Sequence, residues 1–265
     1  MNEILLFLIF ILTGFVTGIG SGLLGIGGGI IFIPVLYFLL PQIGVSADQL
    51  TYVVVATSLF AGSFASGGAF FYHLRTKNIS LGKGFYLSAG SVVSAIIIPL
   101  VISGINPDFI RYFICFLLII ALVSLQRERK YNPDKKKSLP VWILTISGLF
   151  IGAIAALSGT GGGILFFPVL FNFSNLGTKN AIGTSSMAVA ITMITATLSF
   201  AFNSPPETAT YQFGLINYFA GIPMGIGAVA GSRYGVKLNS KLPVPVIKKI
   251  FSLFLLLAIL KILFK

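Results

Sequence analysis

Ten apolar runs of 14 to 22 residues follow one another along almost the whole of this 265-residue chain. They are Ile4–Gly20, Leu23–Leu40, Thr51–Phe71, Phe85–Gly104, Phe109–Gln126, Pro140–Leu157, Thr160–Phe173, Ala181–Phe202, Phe213–Gly231 and Val246–Phe264. A helix needs about 20 apolar residues to cross the roughly 30 Å hydrocarbon core of a bilayer. Short loops consume the rest of the length, so no room remains for a soluble domain. Charged residues make up only 9% of the chain, against roughly 25% in a soluble domain. The expected fold is therefore an all-α integral membrane protein with about ten transmembrane or re-entrant segments. Met1-Asn2-Glu3 lacks the basic start of a signal peptide, and no small-residue cleavage site follows the first run, which reads as a retained helix.

The formal charge of +12 would suggest nucleic acid in a soluble chain. In a membrane chain it reports orientation, because cytoplasmic loops collect Lys and Arg. Basic residues alternate from loop to loop. Arg75, Lys77 and Lys83 separate segments three and four, and the run from Arg127 to Lys137 separates five and six. Lys179 lies between seven and eight, and Arg233, Lys237 and Lys241 between nine and ten. The intervening loops hold Asp48, Asp108 and Glu207 and no Lys or Arg. This places the four basic loops in the cytoplasm and both termini outside, in a multi-pass protein of the cell membrane. The hydrophilic linker 127–139 divides the chain into a first membrane repeat, 1–126, and a second, 140–265. Cys115 is the only cysteine, which excludes an intrachain disulfide and a Cys-rich metal site.

The halves are alike. Gly25–Leu36 (GIGGGIIFIPVL) matches Gly159–Leu170 (GTGGGILFFPVL) with nine identities in twelve positions. Ala56-Thr57-Ser58-Leu59 then pairs with Gly183-Thr184-Ser185-Ser186, and Ile110-Arg111 with Ile247-Lys248. Five segments per half is an odd number, so the halves enter the membrane in opposite senses. Inverted five-segment repeats are a transporter architecture.

The matched motif carries glycines and a proline, Pro34 or Pro168, that interrupt a helix. From Gly27 or Gly161 onward, a helix covers only about 20 Å, so its N-terminus is expected inside the membrane. Unpaired N–H groups and the positive end of the macrodipole there favour an anion. The expected anion-binding residues are Gly27, Gly28, Gly29, Thr57 and Ser58 of the first half. Those of the second half are Thr160, Gly161, Gly162, Gly163, Thr184 and Ser185. The plainer alternative is that small residues only let helices pack closely and hydroxyls only bridge helices. Thr160 opposite Ile26, and Ser186 opposite Leu59, lead us to expect more polar contacts from the second half. Arg111 and Lys248 are expected either to snorkel to the two interfaces or to draw anions to the two mouths. All six acidic residues lie at segment ends or in loops, which argues against an intramembrane proton relay. His73, the sole histidine, reads as a solvated residue at the cytoplasmic end of segment three.

These motifs resemble the TauE/SafE family of sulfite-exporter-like permeases. The likeness rests on Gly18–Gly29 followed by Ile33-Pro34, on Leu157–Gly163 followed by Phe167-Pro168, and on the Ala-Thr-Ser and Gly-Thr-Ser triplets. It runs from about Leu5 to Leu263. The resemblance implies a transporter of small sulfur-containing or organic anions, such as sulfite, a sulfonate or sulfoacetate, across the cytoplasmic membrane. An anion channel is the alternative within transport. An intramembrane hydrolase would need Ser21 or Ser158 beside His73, and a scaffold would move nothing. The expected partners are the anion and the lipid bilayer, with either a coupling ion, sodium or a proton, or uniport driven by the membrane potential. No cofactor, metal or nucleic acid is expected, and no enzymatic activity.

Overall fold

The structure is a computed structural model that describes residues 3–25, 27–126, 140–202 and 211–238, together with Ser252, Leu256 and Ile259. The linker 127–139, Lys248 and nearly all of the tenth segment lie outside the described residues. The first half forms α1 (Glu3–Leu24), α2 (Gly29–Leu39), α3 (Ala47–Arg75), α4 (Leu81–Val101) and α5 (Pro107–Gln126). The second forms α6 (Val141–Ser158), α7 (Gly163–Phe173), α8 (Thr178–Ala201) and α9 (Tyr218–Leu238). Among the described residues the protein is all-α apart from one hairpin of two two-residue strands. Among the described helices α1, α3, α4, α6 and α8 are long and apolar enough to cross a membrane. Large apolar side chains on the outward faces, Leu12, Phe85, Phe116, Trp142 and Phe150 among them, are exposed. Such a surface suits lipid, since a soluble monomer rarely exposes broad apolar patches.

Small residues set the helix pairing. Gly14, Gly18 and Gly22 recur one turn apart on α1, and a Cβ on any of them would overlap the backbone of α9 at Met224, Ala228 or Ser232. The same device joins α6 to α4, where Gly148 and Gly152 abut the backbone of Leu87 and Ser91. Close approach through glycine replaces the hydrophobic drive that lipid cannot supply between helices. α3 and α8 pack on each other and carry the buried centre, with α9 also against α3 and α4 against α8.

Three expectations about local structure need correction. Pro34 and Pro168 lie inside α2 and α7 and do not end them. A proline costs one backbone bond to the carbonyl four residues earlier, and both helices continue past that loss; the glycines mark the break instead. Segment nine does not begin as a helix at Phe213. Gln212–Phe213 pairs antiparallel with Ile216–Asn217 around Gly214 (φ 59°), and α9 starts only at Tyr218. Asn217 Oδ1 accepts from Ala220 N at 3.0 Å, a side-chain start signal for that helix. Finally, α3 begins four residues before its apolar run, at Ala47. Thr57 therefore lies about 15 Å along its helix, while Thr184 lies only about 9 Å along α8.

Candidate anion site at the glycine junction

α2 and α7 are each 11 residues long, about 16 Å at 1.5 Å per residue and half of a bilayer core. Each follows a long helix through a tight glycine turn. Gly25 (φ 65°) and Gly27 (φ 76°) make the first turn, and Gly159 (φ 74°) and Gly161 (φ 77°) the second. These are left-handed conformations that side-chain-bearing residues avoid. Gly28 and Gly162 are the N-cap residues, and no side chain caps either helix. The first N–H groups, at Gly29 and Ile30 and at Gly163 and Ile164, have no partner within their helices by construction.

The two turns meet. A Cβ on Gly29 would overlap the carbonyl oxygen of Gly159 and the backbone of Thr160. The first turn is fixed by the second half, because Ser185 Oγ donates to Gly25 O at 2.9 Å. The second turn is fixed by the first half, because Ser58 Oγ donates to Gly159 O at 2.9 Å and to Val55 O at 2.9 Å. The threonines cross over as well. Thr57 Oγ1 accepts from Asn217 N at 2.9 Å, and Thr184 Oγ1 accepts from Ser80 N at 2.9 Å. All four hydroxyl residues are fully buried.

This geometry sorts the expected donors. The serine protons are committed to carbonyls, so these side chains hold the turns in place. The threonine oxygens accept, which leaves each O–H proton to be donated elsewhere. Thr160 Oγ1 lies 2.8 Å from Ser158 Oγ, which donates to Ile154 O at 2.7 Å, so Thr160 hands its proton to Ser158. Ser186, expected to add polarity, bonds back to Ile182 O on its own helix.

Sequence reading missed the residue at the centre. Met193 of α8 touches the positions where Gly27, Gly62 and Gly161 would carry a Cβ, and Ser66 Oγ lies 3.6 Å from its sulfur. Its thioether fills the space between the two turns. In the register that pairs Thr57 with Thr184, Met193 pairs with Ser66 and Val189 with Gly62. Counting along that register would have pointed to the centre, but an isolated methionine in an apolar run gives no signal of its own. Thr17 was missed for the same reason: its methyl sits 2.9 Å from a Cβ placed on Gly28, and its hydroxyl is buried without a partner.

The remaining expected residues stand elsewhere. Arg111 pairs with Asp108 at 3.5 Å, one turn away on α5, and lies over the Tyr112 ring at 5.2 Å, apart from the junction. His73 is not solvated. It is 2% exposed, and its Nε2 lies 3.2 Å from Gly22 O. The Gly22 carbonyl of α1 faces the ring nitrogen at this distance. Ser21 is adjacent, yet its hydroxyl has no hydrogen-bond partner, so no Ser21–His73 dyad forms. Among the described residues no group of three or more His, Cys, Asp or Glu is placed to hold a metal.

The basic ends gather at one face. Arg75 at the end of α3, Lys179 in the first turn of α8, and Arg233 and Lys237 near the end of α9 line a common recess. Lys83 donates to the carbonyl of Ser174 between α7 and α8. The acidic loops meet elsewhere, where Tyr52 near the start of α3 donates to Ile105 O at 2.7 Å, just before Asp108.

Comparison with known proteins finds relatives along almost the whole chain. A probable membrane transporter protein of Haemophilus influenzae is 27% identical over 260 residues, covering 97% of this chain and 98% of its own. A probable membrane transporter protein of Methanocaldococcus jannaschii is 27% identical over 242 residues, covering 90% of this chain and 88% of its own. The probable membrane transporter protein YunE of Bacillus subtilis is 24% identical, with 95% of both chains covered. No solved structure matches the chain. The model of the sulfite exporter TauE/SafE family matches residues 10–262, and the chain that carries these paired glycine turns belongs to that family.

Proposed function

We propose that the protein is a secondary transporter that moves a small sulfur-containing or organic anion, such as sulfite, a sulfonate or sulfoacetate, across the cytoplasmic membrane. The family and the relatives' descriptions as probable membrane transporters support transport. One observation carries the choice of an anion: two uncapped helix N-termini, one from each half, converge on a buried junction. The donors are the backbone N–H groups at Gly27, Gly28 and Gly29 and at Gly161, Gly162 and Gly163. The protons of Thr57 and Thr184 assist, Ser58 and Ser185 position the turns, and Thr160 is bonded locally to Ser158. Met193 occupies the centre until the anion enters, and its three rotatable bonds let it swing aside.

Ten segments in two inverted repeats fit the reciprocal serine and threonine bonds. These four bonds form two pairs, in each of which a bond from one half has a counterpart from the other. Rocking of one half against the other would then expose the junction to each side in turn. The basic recess faces the cytoplasm in this arrangement, and both termini face outward. Sodium, or a proton carried on the substrate, serves as coupling ion. Arg111 and Lys248 draw anions towards the mouths.

The test is a thermal-shift screen of purified protein against sulfite, thiosulfate, sulfonates and carboxylates, followed by uptake into proteoliposomes. A true ligand raises the midpoint by mass action. No stabilisation and no uptake with any of these anions would reject the reading. For topology, Cys115→Ser gives a cysteine-free chain. A cysteine placed at Ser138 should then resist impermeant thiol reagents in intact cells, and labelling there would reverse the orientation.

A further inference from the structure

The basic recess is more than a sign of orientation. Its volume is about 790 Å³, and His73, Arg75, Asn78, Lys179, Arg233 and Lys237 line it. Among the described residues that line it there is no Asp or Glu. Arg75, Lys179 and Arg233 come from three helices far apart in sequence. Arg75 is held in place over the Phe71 ring, 4.3 Å from its centroid. Like charges brought together in this way repel unless something negative lies between them.

Beneath the cations lies the one histidine of the chain. The Gly22 carbonyl can only accept, so Nε2 carries a hydrogen. Nδ1 is buried and has no partner among the described residues. A buried ring nitrogen left unpaired is costly unless a ligand completes it. A protonated ring donates Nδ1–H to an oxyanion, and a neutral ring accepts from the hydroxyl of a monoprotonated one. Asn78 adds a side-chain amide that donates to the same kind of group.

We infer that this recess is an anion-binding site distinct from the glycine junction, built for a phosphate-type oxyanion, with His73 at its floor and Arg75, Lys179 and Arg233 around its mouth. It stands whether or not the junction carries substrate. The same chemistry is offered by free phosphate and by the phosphate of an anionic lipid headgroup.

The sole histidine makes the test direct. Full-length protein carrying a non-histidine affinity tag and ¹⁵N-labelled histidine is titrated in an uncharged detergent at constant ionic strength, in one arm with inorganic phosphate and in the other with phosphatidic acid in mixed micelles. We expect a saturable shift of the His73 Nδ1 resonance in at least one arm, and the arm that responds identifies the source. Arg75→Gln and Arg233→Gln should each weaken that binding about tenfold or more, as the loss of a charge-assisted hydrogen bond does. An unmoved histidine resonance in both arms overturns the assignment. So does binding, followed by calorimetry, that is as strong in both arginine variants as in the unsubstituted protein or that survives His73→Gln undiminished, since either would describe a generally basic surface. A recess that binds phosphate in a protein that takes up no anion would leave this inference standing and reject the transport reading alone.

Discussion

The two glycine turns begin alike and end differently. Gly25 and Gly159, and then Gly27 and Gly161, share left-handed angles within about ten degrees. At the cap they part. Gly28 has φ −92° and ψ −20°, an ordinary right-handed conformation, whereas Gly162 has φ 75°. One position needs glycine for space alone, and the other needs it for its backbone as well. A Cβ on Gly28 would meet the Phe32 ring at 2.6 Å and the Thr17 methyl at 2.9 Å, both side chains. On Gly162 it would meet Ile151, Ala155 and Phe166 at 2.9–3.0 Å, on a backbone that already disfavours it. Sequence identity therefore conceals a conformational difference, and the second half is the more rigidly specified.

The largest effect is expected where the halves differ most in bulk, at Met193 against Ser66. Met193→Ser makes the two positions alike and removes the packing between the turns. Loss of a buried methionine side chain costs about 2–5 kcal/mol, so thermal unfolding in detergent should fall by several degrees or more. An unchanged midpoint would mean that the thioether does not support the turns.

Next in size is the cap itself. Gly162→Ala carries a left-handed penalty of about 1–2 kcal/mol that Gly28→Ala escapes. Midpoints measured side by side should show the second variant the more stable, and equal losses would erase the contrast between the turns. A smaller and symmetric effect is expected from the serines. Ser58→Ala and Ser185→Ala each lose one hydrogen bond to a carbonyl of the other half, about 1 kcal/mol. Their midpoints should fall by similar amounts. A much larger loss in one of them would show that only that half's turn is held from across the junction. Thr160→Val should matter least to stability, since it removes only a local bond to Ser158, and a deep loss there would give Thr160 a structural role the geometry does not support.

The nine described helices were legible from apolar runs, because a bilayer dictates length and composition together. The short helices were legible too, since glycine turns at matched positions leave only 11 residues to each. Other features depended on tertiary partners. The Gln212–Asn217 hairpin is as apolar as a helix start, and only the contact of Asn217 N with Thr57 reveals its purpose. His73 beside Arg75 looks interfacial in one dimension, and the approach of Gly22 buries it. Ser58 and Ser185 were found as a pair, but the direction of their protons depends on which carbonyls the other half presents.

The crossed bonds also bear on how the protein is made. The Gly25 carbonyl waits for Ser185, and Thr57 for Asn217, each 160 residues downstream. α1, which leaves the ribosome long before α9, finds its principal packing partner only there. The first half must therefore enter the membrane with its turn open and its glycine face uncovered, and non-local contacts of this kind form late. The first half's packing is completed only when α8 and α9 arrive, so a truncated or stalled chain would present an unfinished first turn that membrane quality control can recognise.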